Sequence, residues 1–193
     1  MPKAPLPPFE PTLKPEDFRI LRDLISTCTG LAFGPEARLT VERRLRERLV
    51  ALNLATFPEY CHYLRFHPLA SREWDEAIEL LTTNETYFFR EGYQLKAFRE
   101  EILPMLANIS RSRRRLSIWS AGCSTGEEVY TLAILVTESK LFEAHQVRIY
   151  GSDISRRCVA AARRGVYGAA AFRATPPEIR RQYFVERDDG YHV

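Results

Sequence analysis

Several hallmarks of specialised protein classes are missing from this chain of 193 residues. No apolar run approaches the roughly 20 residues that a helix needs to cross a membrane. The first 15 residues are too rich in proline and too polar to form a signal peptide. The four cysteines are irregularly spaced without a CxxC or Cys/His motif, so they predict no metal site and suit a reducing compartment. We therefore expect a cytoplasmic protein with no bound metal and no direct membrane insertion.

A strong net charge is also missing. The formal charge of +3 is too small to predict nucleic-acid binding, so we expect no nucleic-acid partner. Hydrophobic residues make up 45% and charged residues 27%, which is typical of a globular chain with one domain or two small ones. Positive charge is concentrated locally, in the stretches 38–49 and 111–115. The second stretch is interpreted as a solvated linker.

The first part of the chain predicts a helical domain. Six of the twelve prolines lie in residues 1–15, so residues 1–14 are expected to form an extended arm. Apolar residues then recur at helical spacing from 15 to 83, which predicts four short helices. Thr56 and Ser71 are candidate N-caps for the third and fourth of these helices.

The rest of the chain predicts helices alternating with strands. Residues 84–115 are expected to form a connecting segment with a helix interrupted near Pro104. The pattern over 116–154 predicts a right-handed parallel strand–helix–strand unit, followed by a helix and a terminal hairpin. The predicted fold is thus an N-terminal all-helical subdomain (15–83) and a Rossmann-like α/β domain (116–193). A doubly wound sheet normally has about five or more strands, so we expect this domain to be incomplete and favour a fragment over completion by another chain.

A glycine-containing loop, SAGCSTGEE at 120–128, joins the first predicted strand to its helix. A Walker A loop needs a lysine and a dinucleotide fingerprint needs GxGxxG, and this loop fits neither pattern. It leads instead into Glu127 and Glu128, whose negative charges disfavour a phosphate. One interpretation is helix capping, because a helix N-terminus favours acidic residues, and this suits Glu127 better. The other is a cationic nucleoside without a phosphate, such as S-adenosylmethionine, with Glu128 in contact with it.

A second carboxylate supports a nucleoside ligand. Asp153 follows the second predicted strand, and ligands of α/β sheets bind at the carboxyl ends of the strands. A carboxylate there can accept hydrogen bonds from both ribose hydroxyls. The alternative is that Asp153 only caps the following helix.

Five stretches together resemble the CheR family, the S-adenosylmethionine-dependent protein-glutamate O-methyltransferases of bacterial chemotaxis. In chain order they are NETYFFRE (84–91), SAGCSTGEEVYTLAI (120–134), GSDIS (151–155), AARRGVY (161–167) and QYF…DG (182–190). The resemblance covers about residues 15–193. It implies a class I methyltransferase that moves a methyl group from S-adenosylmethionine to glutamate side chains of a chemoreceptor's cytoplasmic methylation region, leaving S-adenosylhomocysteine. A monomer is expected.

The resemblance also implies which residues bind the cofactor. They are Asn84, Thr86, Arg90, Ala121, Glu128, Asp153 and Ile154. Two departures from the family pattern are visible. Val129 stands where the family usually has proline, which a helix's first turn tolerates but does not need. The family's later strands and a further cofactor-contacting segment have no counterpart in this chain.

The chemistry of such a transfer needs no general base, because a glutamate with a reference pKa of about 4.3 is already anionic at neutral pH. Positioning then supplies much of the rate. Arg90 is a candidate for positioning the incoming carboxylate. We assign it no activating role, because tight pairing would stabilise the ground state more than the transition state.

The basic second helix has two interpretations. The resemblance implies that it docks an acidic receptor surface, whereas its arginines could simply be solvated or paired with Glu42 and Glu47. The candidate docking residues are Arg38, Arg43, Arg44, Arg46 and Arg48. Two rival functions also remain open at this point: a related module acting on another signalling protein, and a non-catalytic binding module.

Overall fold

The computed structural model describes residues 11–109 and 115–193. The chain divides into two compact units between Thr83 and Asn84. Residues 111–114 of the predicted basic linker lie outside the described residues, and so do residues 1–10 of the predicted arm.

The first unit is helical. Its α-helices are α1 (Pro15–Thr29), α2 (Arg38–Ala51), α3 (Phe57–Phe66) and α4 (Ala70–Leu81), with a 3₁₀ turn at Pro35–Ala37 before α2. The sequence signals explain most of the boundaries. Helix α1 begins at Pro15 and ends before Gly30, which adopts a left-handed φ of 77°. The Thr56 hydroxyl accepts the Glu59 amide at 3.3 Å, which confirms it as the cap of α3.

One cap was predicted wrongly. Helix α4 begins at Ala70, so Ser71 lies in its first turn and not at its N-cap. The N-cap is Leu69, which makes no side-chain capping hydrogen bond.

The core of the helical unit follows the predicted apolar stripe of α2. Val41, Leu45 and Leu49 are fully buried there. Leu13 is also fully buried, and its amide donates to Glu42 Oε2 at 2.8 Å. The described end of the predicted arm, 11–14, is therefore packed against this core through Leu13.

The second unit contains the strands. Its helices are α5 (Gly92–Ala97), α6 (Leu103–Ile109), α7 (Glu127–Ser139), α8 (Arg156–Arg164) and α9 (Pro177–Tyr183), and its strands are β1 (Leu116–Ala121), β2 (Val147–Ser152), β3 (Val166–Tyr167), β4 (Val185–Arg187) and β5 (Gly190–His192). Within the described part, β1 and β2 form a parallel sheet, and the other strands form an antiparallel sheet in the order β3-β5-β4. Both the parallel pair and the terminal hairpin agree with the sequence pattern.

The helix of 92–109 is interrupted as predicted. A π-helical turn, Phe98–Ile102, separates α5 from α6 and ends two residues before Pro104. Proline has no amide hydrogen to donate, and its ring clashes with the carbonyl four residues earlier, so the preceding turn widens.

Residues 84–91 pack into the second unit. The Phe88 side chain is fully buried in an aromatic cluster with Tyr167, Phe172 and Phe184. Three of its ring contacts have centroid distances of 4.8 to 4.9 Å. The predicted connecting segment 84–115 is therefore, at this end, part of the unit that carries the sheets.

The parallel sheet is buried on one side only. Leu116 and Ser120 of β1 are buried, whereas Trp119 is 70% exposed and its strand partner Tyr150 is 52% exposed. The Trp119 indole nitrogen donates to the Ser152 hydroxyl at 3.0 Å. Within the described ranges, every helix is too short or too polar to cross a lipid bilayer.

Candidate functional site

The loop between β1 and α7 lies at the carboxyl ends of both parallel strands. The amides of Gly122 and Cys123 donate to the Ser152 carbonyl at the end of β2, at 2.8 and 2.9 Å. Two positive φ angles, 79° at Gly122 and 97° at Gly126, turn the chain from strand to helix. The sequence-predicted strand–glycine loop–helix is therefore present and tied to the second strand.

The two glycines serve different purposes. A methyl group on Gly126 would lie 2.8 Å from Cβ of Ala162, so this glycine allows α7 and α8 to approach closely. A methyl group on Gly122 would meet no described atom within 4 Å other than those of its two chain neighbours. The loop surface at Gly122 is thus open, and bare backbone faces that space. This is the geometry that a ligand lying against the loop needs.

Asp153 ties the loop to the following helix. Its Oδ2 accepts the Ser124 amide at 2.7 Å, and its Oδ1 accepts the Ser155 amide at 2.8 Å. Ser155 in turn caps α8 by accepting the Cys158 amide at 3.0 Å. Each carboxylate oxygen has a second acceptor position, so Asp153 retains capacity for two further donors, such as a pair of hydroxyls.

Glu127 and Glu128 differ sharply although they are adjacent. Glu127 is 4% exposed and accepts the Thr125 hydroxyl at 2.6 Å. Glu128 is exposed, and its Oε1 accepts the Ser120 hydroxyl at 2.7 Å. Both lie in the first turn of α7, where the helix dipole stabilises negative charge. Glu128 is the carboxylate that a ligand can reach.

The segment 84–91 contacts this loop directly. The Ser124 hydroxyl donates to the Asn84 carbonyl at 3.3 Å. Further along, the Phe89 amide donates to Thr131 Oγ1 of α7 at 3.2 Å. These bonds hold the segment beside the glycine loop, with Thr86 half-buried between them.

Arg90 occupies a strained turn. Its neighbours Phe89 and Glu91 both have a φ of 59°, a conformation that costs a non-glycine residue on the order of 1–2 kcal/mol. The Arg90 guanidinium donates to the Glu85 carbonyl at 2.8 Å and lies 3.6 Å from Glu91 Oε1. It is half exposed.

Among the predicted cofactor residues, Ala121, Glu128, Asn84 and Asp153 adjoin or contact the β1–α7 loop, whereas the described bonds of Arg90 stay within segment 84–91. Asn84, Ser124 and Asp153 form a single hydrogen-bonded network. Ala121, the last residue of β1, and Ile154, two residues beyond β2, are both exposed. Sequence reasoning missed Ser120, Ser124 and Tyr167, although all three lie in the quoted motifs. Tyr167 supports the loop, since its hydroxyl donates to the Thr125 carbonyl at 2.8 Å.

Burial and nearby carboxylates raise the pKa values of two side chains at this loop. Burial raises the pKa of the Cys123 thiol, and the Asp153 carboxylate raises it further. Burial and then Glu127 raise the pKa of Tyr167, so its phenol stays protonated and remains a donor. Among the described residues, no group of three His, Cys, Asp or Glu side chains is placed to hold a metal ion.

Most of the arginines of α2 form hydrogen bonds or ion pairs with other residues of the helical unit. Arg48 makes two hydrogen bonds, at 2.9 and 2.6 Å, to the buried Glu73. Arg46 pairs with Glu42 at 2.8 Å, and Arg44 donates to the Leu81 carbonyl at 2.8 Å. Arg38 donates to the Leu13 carbonyl at 2.6 Å.

That leaves Arg43 as the exposed member of the five candidate docking arginines. The other four are partly buried. The pairing with Glu42 was among the sequence interpretations, whereas the pairing of Arg48 with Glu73, in another helix, was not.

A glycine loop after one parallel strand, an acidic first turn in the following helix and an aspartate after the neighbouring strand are typical of α/β domains that bind nucleosides or nucleotides. Comparison with known families makes the class specific. Residues 84–193 match the S-adenosylmethionine-binding domain of the CheR methyltransferases, and residues 16–82 match the all-alpha domain of the same family. The chain therefore belongs to the CheR methyltransferase family.

Curated relatives agree with this assignment. Chemotaxis protein methyltransferase 2 of Vibrio cholerae is 34% identical over 175 residues, which are 90% of this chain and 60% of the relative. The chemotaxis protein methyltransferases of Salmonella typhimurium and Escherichia coli are 34% and 32% identical over 176 residues, each covering 91% of this chain and 58% of the relative. The chain thus spans about three fifths of the length of these relatives.

Proposed function

We propose that the edge formed by β1, β2 and segment 84–91 binds S-adenosylmethionine. The observation that carries this proposal is the pairing of an open glycine loop at Gly122 with two accessible carboxylates, Glu128 and Asp153. Such a site suits a nucleoside with hydroxyls and a positive charge, and it disfavours phosphates. The matching family model for residues 84–193 supports the same ligand.

Each predicted residue has a role that its environment permits. Asp153 would accept the ribose hydroxyls with its remaining acceptor positions. Glu128, exposed at the start of α7, would pair with the ammonium group. Ala121 and Ile154 would supply apolar contact, and Asn84, Thr86 and Arg90 would line the site from segment 84–91, beside the loop.

We further propose that the protein acts as a protein-glutamate O-methyltransferase on the cytoplasmic methylation region of a chemoreceptor, with S-adenosylhomocysteine as product. The names of the relatives, chemotaxis protein methyltransferases, support this choice of partner. When bound, the cofactor supplies an electrophilic methyl group. The chain's own contribution is to hold the acceptor carboxylate in line and away from water, since the carboxylate is already anionic.

The first test is titration calorimetry of the chain with S-adenosylhomocysteine, comparing wild type with Asp153→Ala. Loss of two acceptor positions should weaken binding by about tenfold or more. Asp189→Ala is the matched control, because Asp189 is an exposed aspartate of the β4–β5 turn in the same unit. Equal affinities of the wild type and Asp153→Ala would remove Asp153 from the site, and no binding by the wild type would contradict the proposed cofactor.

The acceptor needs a separate experiment. The chain is incubated with methyl-labelled S-adenosylmethionine and a chemoreceptor cytoplasmic fragment, and the label is then released with mild base. Glutamate methyl esters release volatile methanol, whereas N-methyl groups do not. Label that withstands base, or label transferred to another signalling protein only, would contradict the proposed acceptor.

A further inference from the structure

A second segment, residues 169–173, also contacts segment 84–91. It forms a 3₁₀ turn, Ala169–Phe172, followed by Arg173. No sequence motif pointed to it. It lies more than 80 residues further along the chain, and its contacts appear only in the fold.

Arg173 makes the most specific of these contacts. Its guanidinium carbon lies 3.6 Å from the centroid of the Tyr87 ring, which is a close cation–π stack. Its Nη2 also lies 2.9 Å from Glu85 Oε1. A single planar side chain therefore holds two residues of segment 84–91, one by its face and one by its edge.

The backbone and core reinforce the same connection. The Phe88 amide donates to the Ala171 carbonyl at 2.9 Å. The Phe88 ring stacks on Phe172 at 4.9 Å with an interplanar angle of 16°. Phe88 is thereby held by Ala171 and Phe172, while Arg173 holds Tyr87.

The position of Arg90 depends on this arrangement. Its guanidinium carbon lies 5.8 Å from the same Tyr87 ring, and its Nη1 donates to the carbonyl of the same Glu85. Two left-handed residues flank Arg90, and such a turn persists only where its surroundings over-determine it. Movement of the Tyr87 ring or of the Glu85 backbone would therefore remove these contacts of Arg90.

We propose that Arg173 is a positioning residue for the cofactor site: through Tyr87 and Glu85 it fixes the segment that presents Thr86 and Arg90. This inference rests on the proposed function, because the segment matters to binding only if the cofactor lies there. In this proposal Arg173 acts on the site only through Tyr87 and Glu85.

The test uses the whole chain with Arg173→Ala, Arg173→Lys and the control Arg181→Ala, an exposed arginine of α9 in the same unit. Amide hydrogen exchange of Phe88 and Phe89 is measured without ligand, and S-adenosylhomocysteine affinity by calorimetry. Arg173→Ala should speed exchange at both amides and raise Kd about three- to tenfold, with an unchanged midpoint of urea unfolding. Arg173→Lys should restore part of the affinity, because lysine keeps the ion pair with Glu85 but lacks the planar stack.

Each contrary outcome has a separate meaning. Unchanged exchange in Arg173→Ala would show that the Arg173 side chain does not fasten segment 84–91. Faster exchange with unchanged Kd, or a Kd change that follows only a lower unfolding midpoint, would overturn the positioning role. Absence of binding in wild type and all variants contradicts the proposed cofactor, and with it the positioning role, while the exchange data still decide whether Arg173 fastens the segment.

Discussion

At the scale of single residues, two adjacent glutamates of the loop differ in exposure and in what they can bind. Glu127 and Glu128 both lie in the first turn of α7, yet one is buried against the Thr125 hydroxyl and the other is exposed beside Ser120. The helix dipole stabilises both, so charge alone does not distinguish them. Burial does, and it leaves Glu128 as the carboxylate available to a ligand.

The exchange of each glutamate for glutamine tests this division. Glu128→Gln keeps the shape and the acceptor for Ser120 but removes the charge, so we expect S-adenosylhomocysteine to bind about tenfold more weakly. Glu127→Gln should leave the affinity within about twofold and instead lower the free energy of unfolding by about 1 kcal/mol. Calorimetry and urea unfolding of both variants give the two numbers. A larger affinity loss in Glu127→Gln than in Glu128→Gln would reverse the assignment.

At the scale of elements, helix α2 is held by charged contacts as well as by its apolar stripe. Arg48, Glu73 and the Tyr60 hydroxyl form a network in which Glu73 is 4% exposed and accepts from both partners. Burial and Glu73 raise the pKa of Tyr60, so its phenol stays a donor. The hydrogen bond from Arg48 to Glu73 raises the pKa of Arg48. This network links α2, α3 and α4.

Removing the charge of Glu73 should therefore destabilise the helical unit. Glu73→Gln keeps an acceptor for Tyr60 but leaves the Arg48 guanidinium, one-fifth exposed, without its buried partner, which should cost about 1–3 kcal/mol. Glu76→Gln is the control, because Glu76 lies 3.8 Å from the same guanidinium but is 45% exposed and should change stability by less than about 0.5 kcal/mol. Urea unfolding measures both. Equal losses of unfolding free energy in the two variants would show that burial does not make the Arg48–Glu73 pair more stabilising than the exposed Arg48–Glu76 pair.

Of the five α2 arginines that the family resemblance implies in receptor docking, Arg43 is the exposed one. Arg43→Glu should slow receptor methylation about three- to tenfold at low salt, with a smaller effect at high salt, because exposed charges act mainly on the rate of encounter. Arg44→Gln is not a suitable control, since Arg44 holds the Leu81 carbonyl. Glu47→Arg is suitable as the opposite change, because Glu47 is exposed on the same helix. Reversing its charge adds positive charge to α2 and should speed methylation. Insensitivity of the rate to both changes would contradict docking through α2.

At the scale of the whole molecule, local signals predicted more than distant ones. The order of helices and strands, the interruption before Pro104 and the parallel pairing all follow from spacing, proline and glycine in short windows. The bonds of Asp153 to the loop and to Ser155 were within reach of the sequence, because a strand-end aspartate was already a candidate. The division into domains at 15–83, 84–115 and 116–193 stays a prediction.

Contacts between distant segments were beyond the sequence for a physical reason. Nothing in the periodicity near Arg173 indicates that its guanidinium stacks on Tyr87. Likewise, the basic pattern of α2 does not reveal that Arg48 is paired with Glu73 in α4. Such pairings depend on how the elements pack together, which no short window contains.

The exposed indole on β1 gives the molecule a built-in optical probe. Trp119 donates to the hydroxyl of Ser152, the residue whose carbonyl receives the amides of Gly122 and Cys123. The sequence has one other tryptophan, Trp74, whose indole nitrogen donates to the Leu64 carbonyl in the helical unit. Each unit therefore has one tryptophan. In a chain with Trp74→Phe, all tryptophan fluorescence would come from Trp119, so excitation selective for tryptophan would follow events at the edge of the glycine loop without any added label.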